Sequence, residues 1–399
     1  MRIFAKIIWT ACLVSVMGSA SATGWLICQL APGTNENAVA SDYGIEVRDH
    51  TKPSPFYLFW IPDSRLPEDL QIQMQFDIRV LWAEDNVDVE MPEHVGGGKG
   101  ASVGVVNDPF AFFNLNDHAL DQVFYAPPTF FGTPTPVRVG VIDTGLSGLE
   151  RRTWTKRVVA SANFVEALRP AFDRPMNTDS SGNGIPDEAV GHGTMVASMI
   201  AEMTVNFPLV IVRAADSDGK SSSWLLTKAL AFAARNGCRV INLSLGSVGR
   251  IAAMSHVLDW TQGQNIAVIA AAGNNGIQTD FYPASYSNAI SVCAVDPGDI
   301  KAPFSNYEGT VDSAAPGTGI LAKFWKLDYA IGSGTSFSTP FVSAGVAIAY
   351  AFNPSVTVSE LRVAVEVTGD NIDGLNPLYQ GKIGTRLNII RLVEYLRGN

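Results

Sequence analysis

Residues 137 onward predict an α/β fold built on a doubly wound parallel sheet, and three observations carry that reading. First, VRVGVID (137–143), LVIVRAAD (209–216), RVINLSLG (239–246), IAVIAAAGN (266–274) and AISVCAVD (289–296) are apolar, β-branched runs. Near-continuous apolarity is what strands buried on both faces of a parallel sheet require. Second, helical patterns lie between them. SSSWLLTKALAFAARNG has serines to cap its start and Gly237 to stop it, and HGTMVASMIAEM stacks Met195, Met199 and Met203 at four-residue spacing. Third, FVSAGVAIAYAF (341–352) is a mainly apolar run of twelve residues, too short for a bilayer and suited to a buried helix. Such a sheet takes ligands at the carboxyl ends of its strands.

The elements before residue 137 are of a different kind. MRIFAKIIWTACLVSVMGSASATG has a basic start at Arg2 and Lys6, a short apolar stretch and Ala20-Ser21-Ala22, which reads as a secretory signal peptide cut after Ala22. Residues 24–95 carry strand-like pieces (WLICQL, FYLFWIP, RVLWAEDNV) and few helices, the pattern of a small α+β domain. GGGKG (96–100) is a flexible, exposed linker. The chain therefore divides into 1–22, 23–100 and 101–399. One stretch conflicts with itself: DLQIQMQFDIRV alternates with the period of a strand, yet DSRLPED before it is a helix start.

At 399 residues, 47% hydrophobic and 17% charged, the chain has the composition of a globular protein. Its net charge of −10, without a basic cluster interleaved with aromatics, argues against a nucleic-acid partner. After signal removal no segment predicts a membrane span. The 4 cysteines are too few for a disulfide framework. Cys238 and Cys293 lie in apolar strands and read as buried free thiols in preference to a bridge, and no Cys/His set has zinc-ligand spacing.

Ser336, in GSGTSFSTP, reads locally as a helix-starting serine. As a nucleophile it would need a base and a group to orient that base. Of the 5 histidines, only His192 has a small-residue setting, in GHGT. Asp143 ends a predicted strand in VGVIDTG, where an orienting acid belongs, although an acid there could also hold a ribose hydroxyl. That alternative needs a glycine fingerprint ahead of a helix, and GTGILA (317–322) does not supply one. No histidine follows Ser336, which rules out a nucleophile-elbow hydrolase with its order of serine, acid, histidine.

The order Asp143, His192, Ser336, together with VGVIDTG, GHGTMVAS, AAAGNNG and GSGTSFSTP, resembles the subtilisin-like serine proteases from about residue 137 to the end. The resemblance implies a secreted endopeptidase (extracellular or periplasmic) acting through an acyl-enzyme. Asp143 would be the orienting acid, His192 the general base, Ser336 the nucleophile and Asn274 an oxyanion donor. Ser244, Leu245 and Gly246, with Ala271, Ala272 and Gly273, would line a cleft in which an extended peptide pairs as an added strand. Pro340 is expected in the first turn of the helix that Ser336 opens. The chain departs from many relatives in having Met195 after HGT. It also has only Ile277 to Phe281 between GNNG and YPAS, a loop that shapes the specificity pocket in relatives.

Residues 23–100 are similar to the family's inhibitory propeptide, above all in RVLWAEDNVDVE. That implies a self-processed zymogen, cut between about Val89 and Val105, whose propeptide is its own inhibitor, and a monomer acting on protein or peptide substrates. It also implies a helix at LPEDLQIQMQF. No cofactor is required for the chemistry. DSSGNGIPDE (179–188) half-matches a calcium loop through Asp179, Ser181, Asn183 and Asp187, but Val190 stands where a bidentate glutamate belongs. A polar turn before GHGT is the other reading, and both stay open.

Overall fold

In the computed structural model, residues 24–398 are described except 63–64, 93–100, 105–109, 149–151, 153, 155 and 328. The expected signal peptide and the GGGKG linker lie outside the described residues.

The N-terminal unit runs β1 (Trp25–Leu30), α1 (Glu36–Tyr43), β2 (Glu46–His50), β3 (Phe56–Trp60), α2 (Pro67–Met74) and β4 (Val80–Asp85). Its strands form an antiparallel sheet in the order β2-β3-β1-β4. Alternation sends Leu26, Cys28, Leu30 and Phe59 to one face, where Val39 of α1 and Leu70 and Met74 of α2 cover them. The ambiguous stretch resolves as helix: Leu70 and Met74, four apart, are buried, while the intervening Ile72 is 60% exposed. Pro67 at the first turn starts it.

After β5 (Asp88–Glu90), the larger unit runs β6 (Ala101–Gly104), β7 (Arg138–Asp143), β8 (Val158–Asn163), α3 (His192–Thr204), β9 (Leu209–Arg213), β10 (Lys220–Ser222), α4 (Ser223–Arg235), β11 (Cys238–Leu243), α5 (Ala252–Gly263), β12 (Ala267–Ala271) and β13 (Ile290–Val295). It ends with β14 (Ser313–Pro316), β15 (Ile320–Lys323), β16 (Tyr329–Gly332), α6 (Thr335–Phe352), α7 (Val358–Thr368), β17 (Thr385–Arg386) and α8 (Ile389–Gly398). Eight parallel strands form one sheet in the order β17-β14-β13-β12-β11-β7-β9-β8. The five predicted strands are its contiguous centre. On one face α3, α6, α7 and α8 complete a core with Met195, Met199 and Phe341. On the other, α4 and α5 contribute Leu230, Met254 and Leu258.

Cys28, Cys238 and Cys293 are buried free thiols. β12 separates the strands of Cys238 and Cys293, so two strand spacings, about 9.6 Å, lie between them, beyond the reach of a disulfide. Among the described residues no helix is long and apolar enough to cross a membrane.

The two units share a core. Ile27, Phe56 and Leu58, on the face of the small sheet turned away from its helices, pack with the α4/α5 layer. Phe56 meets Trp260 edge-on at 5.3 Å, and Trp82 stacks on His256 at 4.8 Å. The first turn of α4, whose N–H groups lack partners within the helix, donates across the interface. Ser223 N–H bonds Val87 O at 2.8 Å and Trp224 N–H bonds Asn86 Oδ1 at 2.9 Å. Lys228 Nζ lies 2.6 Å from Asp49 Oδ2.

Candidate active site

Three of the expected residues sit at the carboxyl end of the large sheet. Asp143 is the last residue of β7 and His192 the first of α3. These two elements can approach because residue 193 has no side chain: a Cβ there would stand 2.4 Å from Gly145 O. His192 Nδ1 lies 2.8 Å from Asp143 Oδ1, and both side chains are buried. Thr144 N–H donates to the same Oδ1 at 2.7 Å. A carboxylate accepting from Nδ1 selects the tautomer whose Nε2 carries a lone pair.

Ser336 is the second residue of α6, and the N-cap position is Gly334. The capping reading of this serine therefore fails. Among the described residues its buried Oγ makes no hydrogen bond. The His192 ring stands 5.6 Å from that of Phe337, which brings base and serine segment together. Pro340 falls in the second turn, not the first as expected. There a proline removes the N–H that would bond the carbonyl four residues back, at Ser336. Ser336 O instead accepts from Ser244 Oγ at 3.3 Å. A buried chain continues from it: Asn242 Nδ2 donates to Ser244 Oγ at 3.1 Å, and Ser343 Oγ to Asn242 Oδ1 at 2.9 Å.

Asn274 reaches across the chain instead of closing a local turn. Its Oδ1 accepts from Thr335 N–H and Thr335 Oγ1, each at 2.9 Å. Thr335 Oγ1 in turn accepts from Gly273 N–H at 3.2 Å. With Oδ1 committed as acceptor, the donor arm of the amide is the other one, beside the residue that precedes Ser336.

The expected cleft segments follow β11 and β12. Gly246 exchanges both backbone hydrogen bonds with Glu90, at 2.9 and 3.1 Å. On the other side β5 pairs antiparallel with β10, and Met91 N–H bonds Gly219 O at 3.1 Å. The tail of the N-terminal unit is thus an added strand between two edges. Leu245, Ala271 and Ala272 are buried, and the Leu245 side chain belongs to the core, so this part of the lining is backbone.

Sequence reading missed Asp173 and Arg213, because neither has a local signature. Asp173 is buried and accepts from Gly191 N–H at 3.0 Å and from Thr194 N–H and Oγ1 at 3.2 and 2.8 Å, clamping the start of α3. Burial pushes its carboxyl upward, against those donors and the Arg213 guanidinium. Arg213, wholly buried in β9, donates to Thr144 O at 3.0 Å and to Phe172 O, tying down the residues beside both acids.

The half-matched calcium loop is organised by its own N–H groups. Asp179 accepts from Gly182, Asn183 and Gly184 N–H. Asp187 faces away, toward Met176 and Asn177 N–H at 2.9 and 3.0 Å, and Ser181 and Asn183 bond to Asp179 and Glu188. Among the described residues no group of three or more His, Cys, Asp or Glu could hold a metal. The hydrogen bonds of these four residues are those expected of the polar turn. The turn docks on the cleft wall: Ser180 Oγ bonds Asp216 Oδ2 at 2.7 Å and Ser181 N–H bonds Asp218 Oδ2 at 2.7 Å.

A parallel α/β sheet with acid, histidine and serine in this chain order defines a class, the subtilase family of serine peptidases. Residues 135–380 match that family, and the chain belongs to it. Among its relatives is a thermophilic serine proteinase of Bacillus sp. (strain AK1), 36% identical over 257 residues, which are 64% of this chain and 61% of that protein. Thermitase of Thermoactinomyces vulgaris is 33% identical over 299 residues, 72% of this chain and 99% of thermitase. The fold resembles the crystal structure of fervidolysin from Fervidobacterium pennivorans, a keratinolytic enzyme related to subtilisin. The TM-score is 0.70 at 17% identity, over 94% of this chain and 61% of that one.

Proposed function

We propose that the protein is a serine endopeptidase, secreted and made as a self-processed zymogen, with Asp143, His192 and Ser336 as its triad. The observation that carries the reading is the 2.8 Å Asp143–His192 hydrogen bond, buried beside the serine segment at the head of α6. Ser336 Oγ attacks the scissile carbonyl carbon while His192 Nε2 takes its proton, and Asp143 holds the imidazolium that forms. The oxyanion receives a hydrogen bond from the Asn274 amide and lies at the start of α6, where helix N–H groups favour negative charge. The C–N bond then breaks as His192 returns the proton to the leaving amine. Water, deprotonated by His192, releases the acyl group and restores Ser336. No cofactor enters these steps.

Residues 23–100 are read as a propeptide that inhibits by occupying the cleft. The strand pairing of Val89 and Glu90 and the Met91 N–H bond support this, because a substrate would use the same two edges. Self-cleavage then falls beyond Met91, within the stretch up to Val105. Secretion rests on the basic, apolar and small-residue pattern of residues 1–22. The substrate is protein or peptide, and the mature form is a monomer.

The test is Ser336→Ala expressed in a protease-free host. The parent should appear as a form shortened by the N-terminal unit and should react with a serine-directed phosphonate. The variant should accumulate as the signal-cleaved precursor and stay unlabelled. A normally processed Ser336→Ala chain, or a parent inert to the phosphonate, would overturn the proposal.

A further inference from the structure

Ser244–Gly246 and Ala271–Gly273 leave adjacent parallel strands at their carboxyl ends, the end of such a sheet at which ligands bind. Both segments touch the residues at the head of α6: Ser244 Oγ bonds Ser336 O at 3.3 Å, and Gly273 N–H bonds Thr335 Oγ1 at 3.2 Å. The added strand locates the substrate in this frame. Glu90 is paired with Gly246, and continuing that antiparallel register two residues would set Pro92 opposite Ser244, whose Oγ bonds Ser336 O. A substrate bound in that register would donate its scissile carbonyl there, and the side chain of that residue would enter between the two segments.

Phe281 lies there. A Cβ added to Gly246 would stand 2.4 Å from Phe281 Cε1 and 2.9 Å from Cδ1, and one added to Gly273 would stand 2.8 Å from Cδ2 and Cγ. One edge of the ring rests against one wall and the opposite edge against the other. Phe281 is 1% exposed. Its backbone is fixed: Phe281 N–H bonds Ser285 Oγ at 3.0 Å, and Tyr282 and Ser247 exchange backbone hydrogen bonds at 2.7 and 2.8 Å. The ring therefore belongs to a braced segment, not to a loop tip that could swing aside.

We propose that Phe281 closes the pocket for the residue on the acyl side of the scissile bond and restricts that residue to glycine, alanine or another small side chain. This deepens the endopeptidase reading and rests on it. A leucine or benzyl side chain needs the volume that the ring fills, and overpacking a close-packed site is unfavourable. The discrimination between an alanine and a phenylalanine substrate should reach at least about tenfold in kcat/KM, as for other pockets that sort apolar side chains by size.

The experiment uses processed enzyme and peptide anilides that differ only in that residue: Gly, Ala, Val, Leu, Phe. The parent should prefer Ala to Phe and Leu by at least about tenfold. Phe281→Ala should raise the Phe-to-Ala ratio by at least about tenfold, with Phe281→Leu, which keeps more of the core volume, in between. Stoichiometric phosphonate labelling certifies that each form is folded. A parent that cuts after Phe or Leu as well as after Ala, or a ratio unmoved in both labelled variants, overturns the pocket assignment while leaving the protease reading intact. A parent that neither labels nor cuts any member of the series overturns both.

Discussion

At the scale of single residues, the Asn274–Thr335 contact determines how the oxyanion assignment should be tested. Asn274→Leu would remove the amide donor and also strand Thr335 N–H and Oγ1, which both bond Oδ1. Loss of stability and loss of chemistry would be mixed. Asn274→Asp keeps an acceptor for Thr335 and loses only the donor. The two Thr335 donors favour its ionised form above neutral pH. We expect kcat to fall by about 10²–10³, the size seen when subtilisin loses its corresponding donor, with KM within about threefold. The measurement is kcat on active-site-titrated enzyme at pH 8, and a loss below about fivefold, under 1 kcal/mol of barrier, would mean that the oxyanion is held elsewhere. The acid, the histidine, the serine and the asparagine were candidates from sequence because each stands in a short glycine-containing stretch, Asp143 and Asn274 at the end of an apolar strand and His192 and Ser336 at the start of an apolar helix. Thr335 and Phe281 were not, since their roles depend on what lies across the cleft.

At the scale of elements, legibility followed burial. The five strands read from apolar runs are the central five of the sheet, buried on both faces. β8 and β17 at the edges and β14 one strand in from the β17 edge were missed. VVASAN is half-buried and partly polar, SAAP is four small residues, and TR is a two-residue strand. Alternation misled in α2, where a polar surface helix happens to place apolar residues at every second position. The proline of α6 illustrates the limit of motif reading. Its type was informative, but its place in the second turn, and the Ser336 carbonyl it releases to Ser244, needed the helix boundary. β9 carries the element-scale prediction. Arg213 ties the turn after β7 to the loop at Phe172 from inside the core. Arg213→Met would leave a buried carbonyl (Thr144) and a part-buried one (Phe172) without their charged donor, at about 1–3 kcal/mol for each group left unpaired. Urea unfolding of the Ser336→Ala chain should show a loss of about 2–4 kcal/mol, and a change below 1 kcal/mol would show that Arg213 is not what holds these loops.

At the scale of the whole molecule, the proposed self-processing requires the N-terminal unit to bind the larger unit tightly enough to fold with it and weakly enough to leave. The interface combines the Phe56–Trp260 and Trp82–His256 aromatic contacts with strand pairing through β5. β4 ends in two acidic residues on opposite faces, Glu84 toward the larger unit and Asp85 toward α2. Asp85 is half-buried, and that burial, together with Glu68 and Glu84, raises its carboxyl from 3.8 to about 6, although Gln71 Nε2 donates to it at 2.6 Å. Glu84 faces His256 of α5 at 3.8 Å. A carboxyl whose folded pKa lies above its unfolded value contributes stability that is full below the unfolded value and is lost as pH rises through the folded one. For Asp85, which faces α2 inside the N-terminal unit, the window runs from about pH 4 to about pH 6, so that unit is itself more stable in acid and loses stability toward neutrality. Asp85→Asn keeps an acceptor for Gln71 and removes the charge. In calorimetry of the Ser336→Ala precursor, the variant should match its parent at pH 4 and melt at progressively higher temperature than the parent as pH approaches 7. A melting difference of equal size at both ends of the range would assign the effect of the substitution to packing and remove Asp85 from the pH dependence.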